Sequence, residues 1–447
     1  MMAIDHATVR LTFGDDLFLR RHRGVGTPIV NQFVWRLDHV VPTAALVRLR
    51  DELARGALSR RADRPRVPGA RGRWSRAPHA PALDVEPTVL QECDVVDWLR
   101  SNHTAPLHPG RGDSWRLASA RLSDGGSLLS LIVDHAVADG GAMVDAVERA
   151  ASGRAPLTLP DRDGTWGTLR ADLQDAARQV RAVVRWGATS ALRQRGGATS
   201  PAGATPAPPP DGPTAPQGWV VPTVVAECRT ADVEAAAARH GGTLNTWFVA
   251  LSASLVGSAG ITDEDEPVLV ALPVTARGAD DPRANATRIA RVAVDPTDLR
   301  RHDLAPLRAG CRQAYAQLGT RDTSAKDADT GSLLTLVQML PDAVVRRLPV
   351  PTGPRVLASN LGTMSPAFSA PTGTPARSIA ALAGHRVVDD AEIRALGGGL
   401  TAWACTSGER TTVTVAALDP ARVPDDETLR DLVRSGLAAW HVEARLW

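Results

Sequence analysis

The stretch LSLIVDHAVADGGAM, Leu129–Met143, indicates the fold most directly. The apolar, partly β-branched run at 131–133 predicts a buried strand, and the apolar residues after the paired glycines predict the start of a helix. His135 stands where the strand ends, Asp139 follows four residues later, and Gly140 lets the backbone pass close to a ligand. Because an imidazole titrates near neutral pH, this arrangement predicts a base held at a strand end.

The bare pattern His-x-x-x-Asp-Gly is short enough to occur by chance, so a buried structural histidine is the alternative at this position. Asp139 is interpreted as a structural residue that fixes the turn through an ion pair, and not as a second base. These residues alone leave the choice between a catalytic and a structural His135 open.

The motif resembles the signature of the CoA- and carrier-protein-dependent acyltransferase superfamily. That superfamily includes chloramphenicol acetyltransferase, peptide-synthetase condensation domains, plant alcohol acyltransferases and bacterial wax ester synthase/diacylglycerol acyltransferases. Pro106–Gly140 is similar to the Pro-Leu-Trp strand, Gly-Gly turn and catalytic motif of the last group. Three more matches follow in order: Thr243–Leu255 resembles its Thr-x-Asn helix, Val268–Arg277 its Pro-Val-Ser-x-Arg strand, and Ala358–Gly362 its Ser-Asn loop.

The resemblance implies roles for individual residues. His135 is expected to take the proton of an acceptor as the acceptor attacks a thioester, and Arg277 is expected to pair with Asp139. Backbone N–H groups around Gly140 and Gly141, at a helix N-terminus, would stabilise the oxyanion.

A second set of residues is expected to line the substrate tunnel: Asp134, Gly141, Asn245, Ser359 and Asn360. Asn245 could instead cap its helix, and Ser359-Asn360 before a glycine could be a simple turn. Asp134 departs from the family pattern, since it replaces the first of two histidines and could alter the orientation of the neighbouring ring. The late loop also lacks the Asp-Phe-Gly-Trp-Gly form of plant enzymes and condensation domains, which favours the wax-ester-synthase branch.

The Pro/Ala/Gly-rich stretch Gly196–Gly218 cannot sustain a helix or strand and predicts a linker between a unit at 1–195, which carries the motif, and a unit at 219–447. A helix is predicted over Trp166–Arg195. Strands are predicted at Ile29–Leu37, Trp115–Leu122, Val268–Val274, Arg288–Val294 and Thr411–Ala417. Strands set among amphipathic helices in both halves predict an α/β sandwich repeated twice. The resemblance implies two chloramphenicol-acetyltransferase-like domains in a V-shaped pseudo-dimer, with a tunnel between them that His135 faces.

The net charge of +2 is close to balance, so nucleic-acid binding is not expected. The most basic stretch, Ala54–Arg76, is interpreted either as a solvated helix end and loop or as a landing patch for the phosphates of an acyl donor or for an acidic carrier protein. Trp74 within it could simply pack the loop.

Four cysteines are widely spread, at positions 93, 228, 311 and 405, which predicts neither a metal site nor disulfides and indicates a reducing compartment. No secretory signal is evident at the N-terminus. The apolar run Leu244–Val256 is too short to span a bilayer and reads as a buried helix. We therefore expect a cytoplasmic monomer without a transmembrane segment.

Three functional hypotheses follow. The first is an acyltransferase that uses acyl-CoA or a phosphopantetheine thioester of a carrier protein as donor, holds no bound cofactor, and acylates a small-molecule alcohol or amine in lipid or specialised-metabolite synthesis. The second is a condensation enzyme that joins substrates bound to acyl or peptidyl carrier proteins. The third is a non-catalytic interaction protein, motivated by Asp134, although the intact His135, Asp139 and Gly140 argue against it.

Overall fold

A computed structural model describes residues 10–161, 165–195, 218–320, 333–348, 354–385 and 398–447. The predicted linker lies outside these ranges except for Gly218. The helices of the described ranges are α1 (Phe13–Arg21), α2 (Thr43–Arg55), α3 (Val95–Thr104), α4 (Gly140–Ser152), α5 (Thr165–Arg195), α6 (Thr230–Arg239), α7 (Leu244–Ser258), α8 (Pro296–Arg300), α9 (Ala305–Thr320), α10 (Asp342–Val345), α11 (Pro366–Ser369) and α12 (Asp426–Ala439). Residues 333–339 are also helical. None of the helices within the described ranges has the length and apolar character needed to cross a membrane.

The strands form two large sheets and one small hairpin. They are β1 (Ile29–Leu37), β2 (Arg60–Asp63), β3 (Arg73–Arg76), β4 (Leu83–Leu90), β5 (Trp115–Leu122), β6 (Ser127–Asp134), β7 (Thr223–Arg229), β8 (Val268–Thr275), β9 (Thr287–Val294), β10 (Val356–Thr363), β11 (Ser378–His385), β12 (Leu400–Ser407), β13 (Arg410–Ala417) and β14 (Ala444–Leu446). The first sheet has the order β11-β1-β6-β5-β4 and the second β14-β7-β13-β12-β10-β8-β9, while β2 pairs with β3.

The central strand of the first sheet is β6, which pairs antiparallel with β1 on one side and β5 on the other. All eight of its residues are buried, because helices and loops cover both faces of the sheet. A strand buried on both faces has a nearly continuous apolar sequence, and SLLSLIVD fits this rule. The sheet therefore holds the end of β6, and His135 after it, on a rigid frame.

One strand crosses between the two halves of the sequence. β11 comes from the second half but pairs with β1 in the first sheet, from Ile29 opposite His385 to Arg36 opposite Ser378. The same strand lies against the second sheet, where the Thr412 hydroxyl donates to the Ile379 carbonyl oxygen at 2.6 Å. The two sheets are thus joined through β11, by its backbone pairing with β1 and by this side-chain hydrogen bond from β13, while the division of the chain at 195 and 219 stays a prediction.

Helix α7 forms the centre of the second hydrophobic core. Ten of its fifteen residues are buried, and it packs against the second sheet among side chains such as Val270, Val356 and Val413. Thr243 caps the helix by accepting a hydrogen bond from the Thr246 backbone N–H. Burial on all sides explains why the sequence of α7 has no polar face.

Candidate active site

The chain turns sharply from β6 into α4 at the predicted motif. The Val137 N–H donates to the Asp134 carbonyl oxygen at 2.8 Å, which folds the loop back on the strand end. Asp139 then takes extended backbone angles and caps α4, its Oδ1 accepting from the Ala142 N–H at 2.8 Å. His135 therefore lies on a turn fixed at both ends, with its side chain partly exposed.

Asp139 is enclosed by hydrogen-bond donors. Its Oδ1 also accepts from Arg277 Nη2 at 2.9 Å, and its Oδ2 accepts from the Ala286 N–H at 2.7 Å and the Thr287 hydroxyl at 2.9 Å. Burial acts to raise the pKa of Asp139, but the charge of Arg277 and these hydrogen bonds outweigh it and hold the pKa below its usual value. Asp139 is thus a charged residue that ties α4 to the second half of the chain, and none of its contacts reaches the imidazole.

The imidazole of His135 is oriented by Asn285, at 3.2 Å between Nδ1 and the Asn285 Oδ1. The Asn285 amide nitrogen donates to Asp15 Oδ1 at 2.9 Å and to the Ala136 carbonyl oxygen at 3.2 Å, and a carbonyl oxygen can only accept. Its Oδ1 must therefore face the histidine, so Nδ1 carries the proton. No described residue hydrogen-bonds to Nε2, so its lone pair is available, which is the form that a general base requires.

The environment of His135 favours its neutral form. Burial lowers the pKa of His135 below its ordinary value. A hydrogen bond of the ring to its own backbone, the carboxylates of Asp139 and Asp134, and the hydrogen bond that the ring donates to Asn285 offset this only in part. Phe18 stacks on one face of the imidazole, with ring centroids 3.9 Å apart and planes 14° apart. The ring is thus ready to accept a proton at neutral pH.

Helix α1 meets the motif at a second point. Asp134, whose side chain is 1% exposed, accepts from His22 Nε2 at 2.7 Å and from the Ala136 N–H at 2.9 Å. Asp134 therefore turns toward His22 at the C-cap of α1, and its carboxylate makes no contact with the ring of His135. The expected influence of Asp134 on the ring acts through charge and through the placement of α1.

The two glycines after the motif allow close packing at the start of α4. A Cβ on Gly140 would lie 3.1 Å from Leu361, and one on Gly141 would lie 3.2 Å from the Thr275 hydroxyl. As the first residues of α4, both have N–H groups that lack an acceptor in the helix. These two donors lie at the positive end of the helix dipole, on the helix that follows the turn carrying His135.

The remaining predicted residues form a polar chain in the second half. Asn360 Nδ2 donates to Asn245 Oδ1 at 3.0 Å, and Asn245 Nδ2 donates to the Tyr315 hydroxyl at 3.1 Å. Thr243 caps α7, so Asn245 has no capping role, whereas Asn360 Oδ1 accepts from the Gly362 N–H as in a turn. Ser359 precedes Asn360 on β10. Leu361 follows Asn360 and packs against Gly140, so these hydrogen-bonded residues lie near the start of α4.

The basic stretch 54–76 divides into buried and exposed arginines. Arg60 is 1% exposed, and burial lowers its pKa to about 10 although the charge of Asp15 opposes this. Its guanidinium lies over Trp74, which is itself buried, while Arg71 pairs with Asp175 at 2.8 Å. Arg64 is exposed, so only part of this stretch meets solvent.

A cavity of about 500 Å³ opens between α1 and this stretch. Its wall consists of residues from α1 and its C-terminal end together with residues 62–65, 70–72, 108–111, 338 and 340–342. His22 lines it and connects it to Asp134, the neighbour of His135. Arg64, Arg111 and His108 are exposed at the cavity, and across the described ranges no carboxylate pairs with them. The cavity is therefore suited to an anionic group.

Four residues around the imidazole escape prediction from the sequence: Asp15, Phe18, His22 and Asn285. Thr12-x-x-Asp15 forms a capping box at the start of α1, and this signal could have predicted the helix. Asn285 stands in a polar loop without any local pattern that points to the histidine. No group of three or more His, Cys, Asp or Glu side chains in the described ranges is arranged to hold a metal ion.

Comparison with known proteins identifies the fold. No protein-family model matches the chain, and no curated protein matches it in sequence. The wax ester synthase/diacylglycerol acyltransferase from Marinobacter aquaeolei VT8 matches in structure with a TM-score of 0.55 and 13% identity, over 97% of this chain and 98% of that one. The first condensation domain of the calcium-dependent antibiotic synthetase matches with a TM-score of 0.56 and 18% sequence identity, over 96% of this chain and 96% of that one. The condensation domain of the Monacolin K polyketide synthase matches with a TM-score of 0.54 and 13% sequence identity, over 97% of this chain and 96% of that one. The predicted two-unit α/β fold is confirmed.

Proposed function

We propose that this chain, which shares its fold with a wax ester synthase and with condensation domains, is an acyltransferase. It moves an acyl group from a thioester of CoA or of a carrier protein to a hydroxyl or an amine. The observation that carries the proposal is the contact between His135 Nδ1 and Asn285 Oδ1 at 3.2 Å, at the end of a rigid strand. This contact would hold the proton on Nδ1 and leave Nε2 as the base.

In the proposed reaction, Nε2 of His135 removes the proton of the acceptor O–H or N–H as that atom attacks the thioester carbonyl carbon. The negative charge on the carbonyl oxygen is stabilised by the N–H groups of Gly140 and Gly141. When the tetrahedral intermediate collapses, the C–S bond breaks and the leaving thiolate takes the proton from the imidazolium. The acyl group stays on the acceptor, and no covalent acyl-enzyme is formed.

We further propose that the cavity beside α1 receives the phosphate end of the donor. Arg64 and Arg111 supply positive charge there and have no carboxylate partner among the described residues, whereas Arg20 and Arg23, also in the wall, already bind Asp342. Both donor forms share the phosphopantetheine arm, whose length separates the phosphate from the thioester. The phosphate site is therefore not expected to touch His135.

The test is detection of acylated product by mass spectrometry. The purified protein is incubated with short- and long-chain acyl-CoAs, acyl carrier proteins, and pools of alcohols and amines. Product that requires both the thioester and an acceptor would support the proposal. If every donor and acceptor class fails, the chain is a non-catalytic protein with this fold and the proposal is wrong.

A condensation reaction between carrier-bound substrates is the second candidate, because condensation domains are among the structures that share the fold over nearly the whole chain. In the same assay, such an enzyme would use an aminoacyl carrier protein as acceptor and would show no turnover with free acyl-CoA. Turnover with acyl-CoA and a free alcohol or amine would exclude it.

Replacing Asn285 with alanine is expected to lower kcat by about tenfold to a hundredfold, because the imidazole loses the partner that fixes its tautomer and position. The bond from Asn285 also favours the protonated ring. Its loss should therefore shift the acid limb of the pH–rate profile to lower pH. Steady-state rates measured across pH check both effects.

Asn31→Ala is the matched control, since Asn31 Nδ2 donates to the Ala138 carbonyl oxygen at 2.9 Å and holds the same loop without contact to the ring. It should leave the acid limb in place. An unchanged acid limb in Asn285→Ala, or an equal shift in both variants, would contradict the role of Asn285.

The double variant Arg64→Ala, Arg111→Ala is expected to raise KM for acyl-CoA by about tenfold or more, because each arginine is placed to bind a charged phosphate. KM for the matching acyl-pantetheine, which lacks the phosphate, should not change. The ratio of the two KM values, measured at low and at high salt, checks the site.

Arg48→Ala removes an exposed arginine from α2, away from the cavity, and serves as the control. If the KM of the double variant is unchanged for both donors, the proposed phosphate site is wrong. An equal rise in KM for both donors would also contradict it. Neither result would affect the acyltransferase proposal, which rests on turnover by the parent protein.

A further inference from the structure

Helix α5 is attached to the protein by its polar side. Asp172 accepts from Arg10 Nη1 at 2.7 Å and from the Arg66 N–H at 2.7 Å, and Asp175 accepts from Arg71 Nη2 at 2.8 Å. Both aspartates are buried, with 1% and 0% exposure. The inward face of α5 is therefore held by charged hydrogen bonds, the reverse of an ordinary surface helix.

The opposite face of α5 presents apolar side chains to solvent. Trp166 is 82% exposed, Leu173 54%, Val180 48% and Val184 63%. Their spacings of seven, seven and four residues place them in one row on the helix. The row extends over about 27 Å at the helical rise. A contiguous exposed apolar row of this kind indicates a surface that binds another protein or a membrane.

On α5, the described charged side chains that flank this row are positive. Arg170, Arg178 and Arg181 are exposed and flank it on one side, while the two acidic residues of α5 are the buried Asp172 and Asp175. The partner must therefore be anionic as well as apolar. An antiparallel pair of copies about a two-fold axis fits poorly, because it would bring one arginine row against the other.

We propose that the outer face of α5 binds an anionic lipid surface. An apolar row with a tryptophan, bordered by arginines, is the pattern of a helix that lies in the plane of a membrane interface. The apolar side chains would enter the headgroup region and the arginines would contact lipid phosphates. A flat bilayer can engage the whole row at once. The proposal does not depend on the acyltransferase activity.

The experiment is co-sedimentation of the full chain with two kinds of vesicle, pure phosphatidylcholine and an equimolar mixture with phosphatidylglycerol. The parent should bind the mixed vesicles, bind the neutral ones much more weakly, and lose affinity as salt is added. The variant Arg170→Gln, Arg178→Gln, Arg181→Gln should bind the mixed vesicles roughly a hundredfold more weakly, from about fivefold per arginine.

A second variant tests the apolar row. Leu173→Ser, Val180→Ser, Val184→Ser should lower affinity by roughly a hundredfold, and it should fold, since all three side chains are solvent-exposed in the parent. The control variant Val40→Ser, Val85→Ser, Val89→Ser removes three exposed valines elsewhere and should bind like the parent.

Three outcomes would overturn the proposal. The first is no binding of the parent to mixed vesicles, and the second is equal binding by the serine variant of α5. The third is a parent dimer in analytical ultracentrifugation that the same variant converts to monomer, which would make the face a contact between copies.

Discussion

Replacing His135 with alanine is expected to lower kcat/KM for acyl transfer by about a hundredfold to ten-thousandfold, the range for removal of a general base. The fold should survive, because the turn that carries the residue is held by backbone and Asp139 contacts that the substitution leaves in place. Rates measured with the best donor and acceptor, together with a melting curve, check this expectation.

The pH dependence of the parent gives an independent readout of the same residue. Because the pKa of His135 is lowered, the neutral base persists to more acidic pH than for an ordinary histidine. The acid limb of kcat/KM should therefore lie below about pH 6.5, and activity should fall as the pH drops through the lowered pKa. In the alanine variant, the residual rate should lack this limb.

His79→Ala is a matched control, since His79 is exposed in the same half of the chain and pairs with Asp113 at 3.0 Å. It should retain parent rates. Equal product from the parent and His135→Ala would remove His135 as the base and leave the proposed mechanism without its central group.

Replacing Asp139 with alanine is expected to destabilise the protein by about 3 kcal/mol or more, because it leaves a buried guanidinium without its carboxylate. The Arg277 and Asp139 side chains are 8% and 4% exposed. In the variant, Arg277 still donates hydrogen bonds to the carbonyl oxygens of Asp281, Arg283 and Ala284, which limits the loss of stability. The variant also loses the cap of α4. Denaturant unfolding and the yield of folded protein check the effect.

The sign of the pH dependence follows from the lowered pKa of Asp139. The stabilisation is present above about pH 4, the pKa of an unfolded aspartate, and is lost as the pH falls through the folded-state value. The difference between parent and variant should therefore shrink in acid. Asp145→Ala, which removes a partly exposed partner of Arg149 on the same helix, should cost no more than about 1 kcal/mol. A normal melting curve with a turnover defect alone would contradict a structural role for Asp139.

Much of the fold could be predicted from local pattern. The five predicted strands are present in the structure to within one residue at each end, because each is a clear apolar or alternating run. The strand–turn–helix order at the motif is likewise a property of consecutive residues. Even the pairing of Asp139 with Arg277 could be expected from resemblance to a family motif, although the two residues are far apart in the sequence.

The residues that surround the imidazole could not be predicted in this way. Asn285 reaches His135 from a loop of the second half, and Phe18 reaches it from a short N-terminal helix. Contacts between residues so far apart in the sequence depend on how the two sheets are joined. The local periodicity of apolar residues carries no information about this. The outward apolar face of α5 could not be predicted from the sequence for a related reason. The spacing predicted a helix, but only the buried aspartates reveal which side faces the protein.

The pairing of Ile29 with His385 also constrains how the chain is made. During synthesis, β1 leaves the ribosome before β11, the strand that completes its sheet, and residues 38–377 come between the two. Until then β1 has an open edge, which is a template for unwanted pairing. Closing so long a loop is slow, since its entropy must be lost before the pairing is gained. The protein therefore finishes the first sheet, whose strand β6 leads into His135, only after β11 has been made.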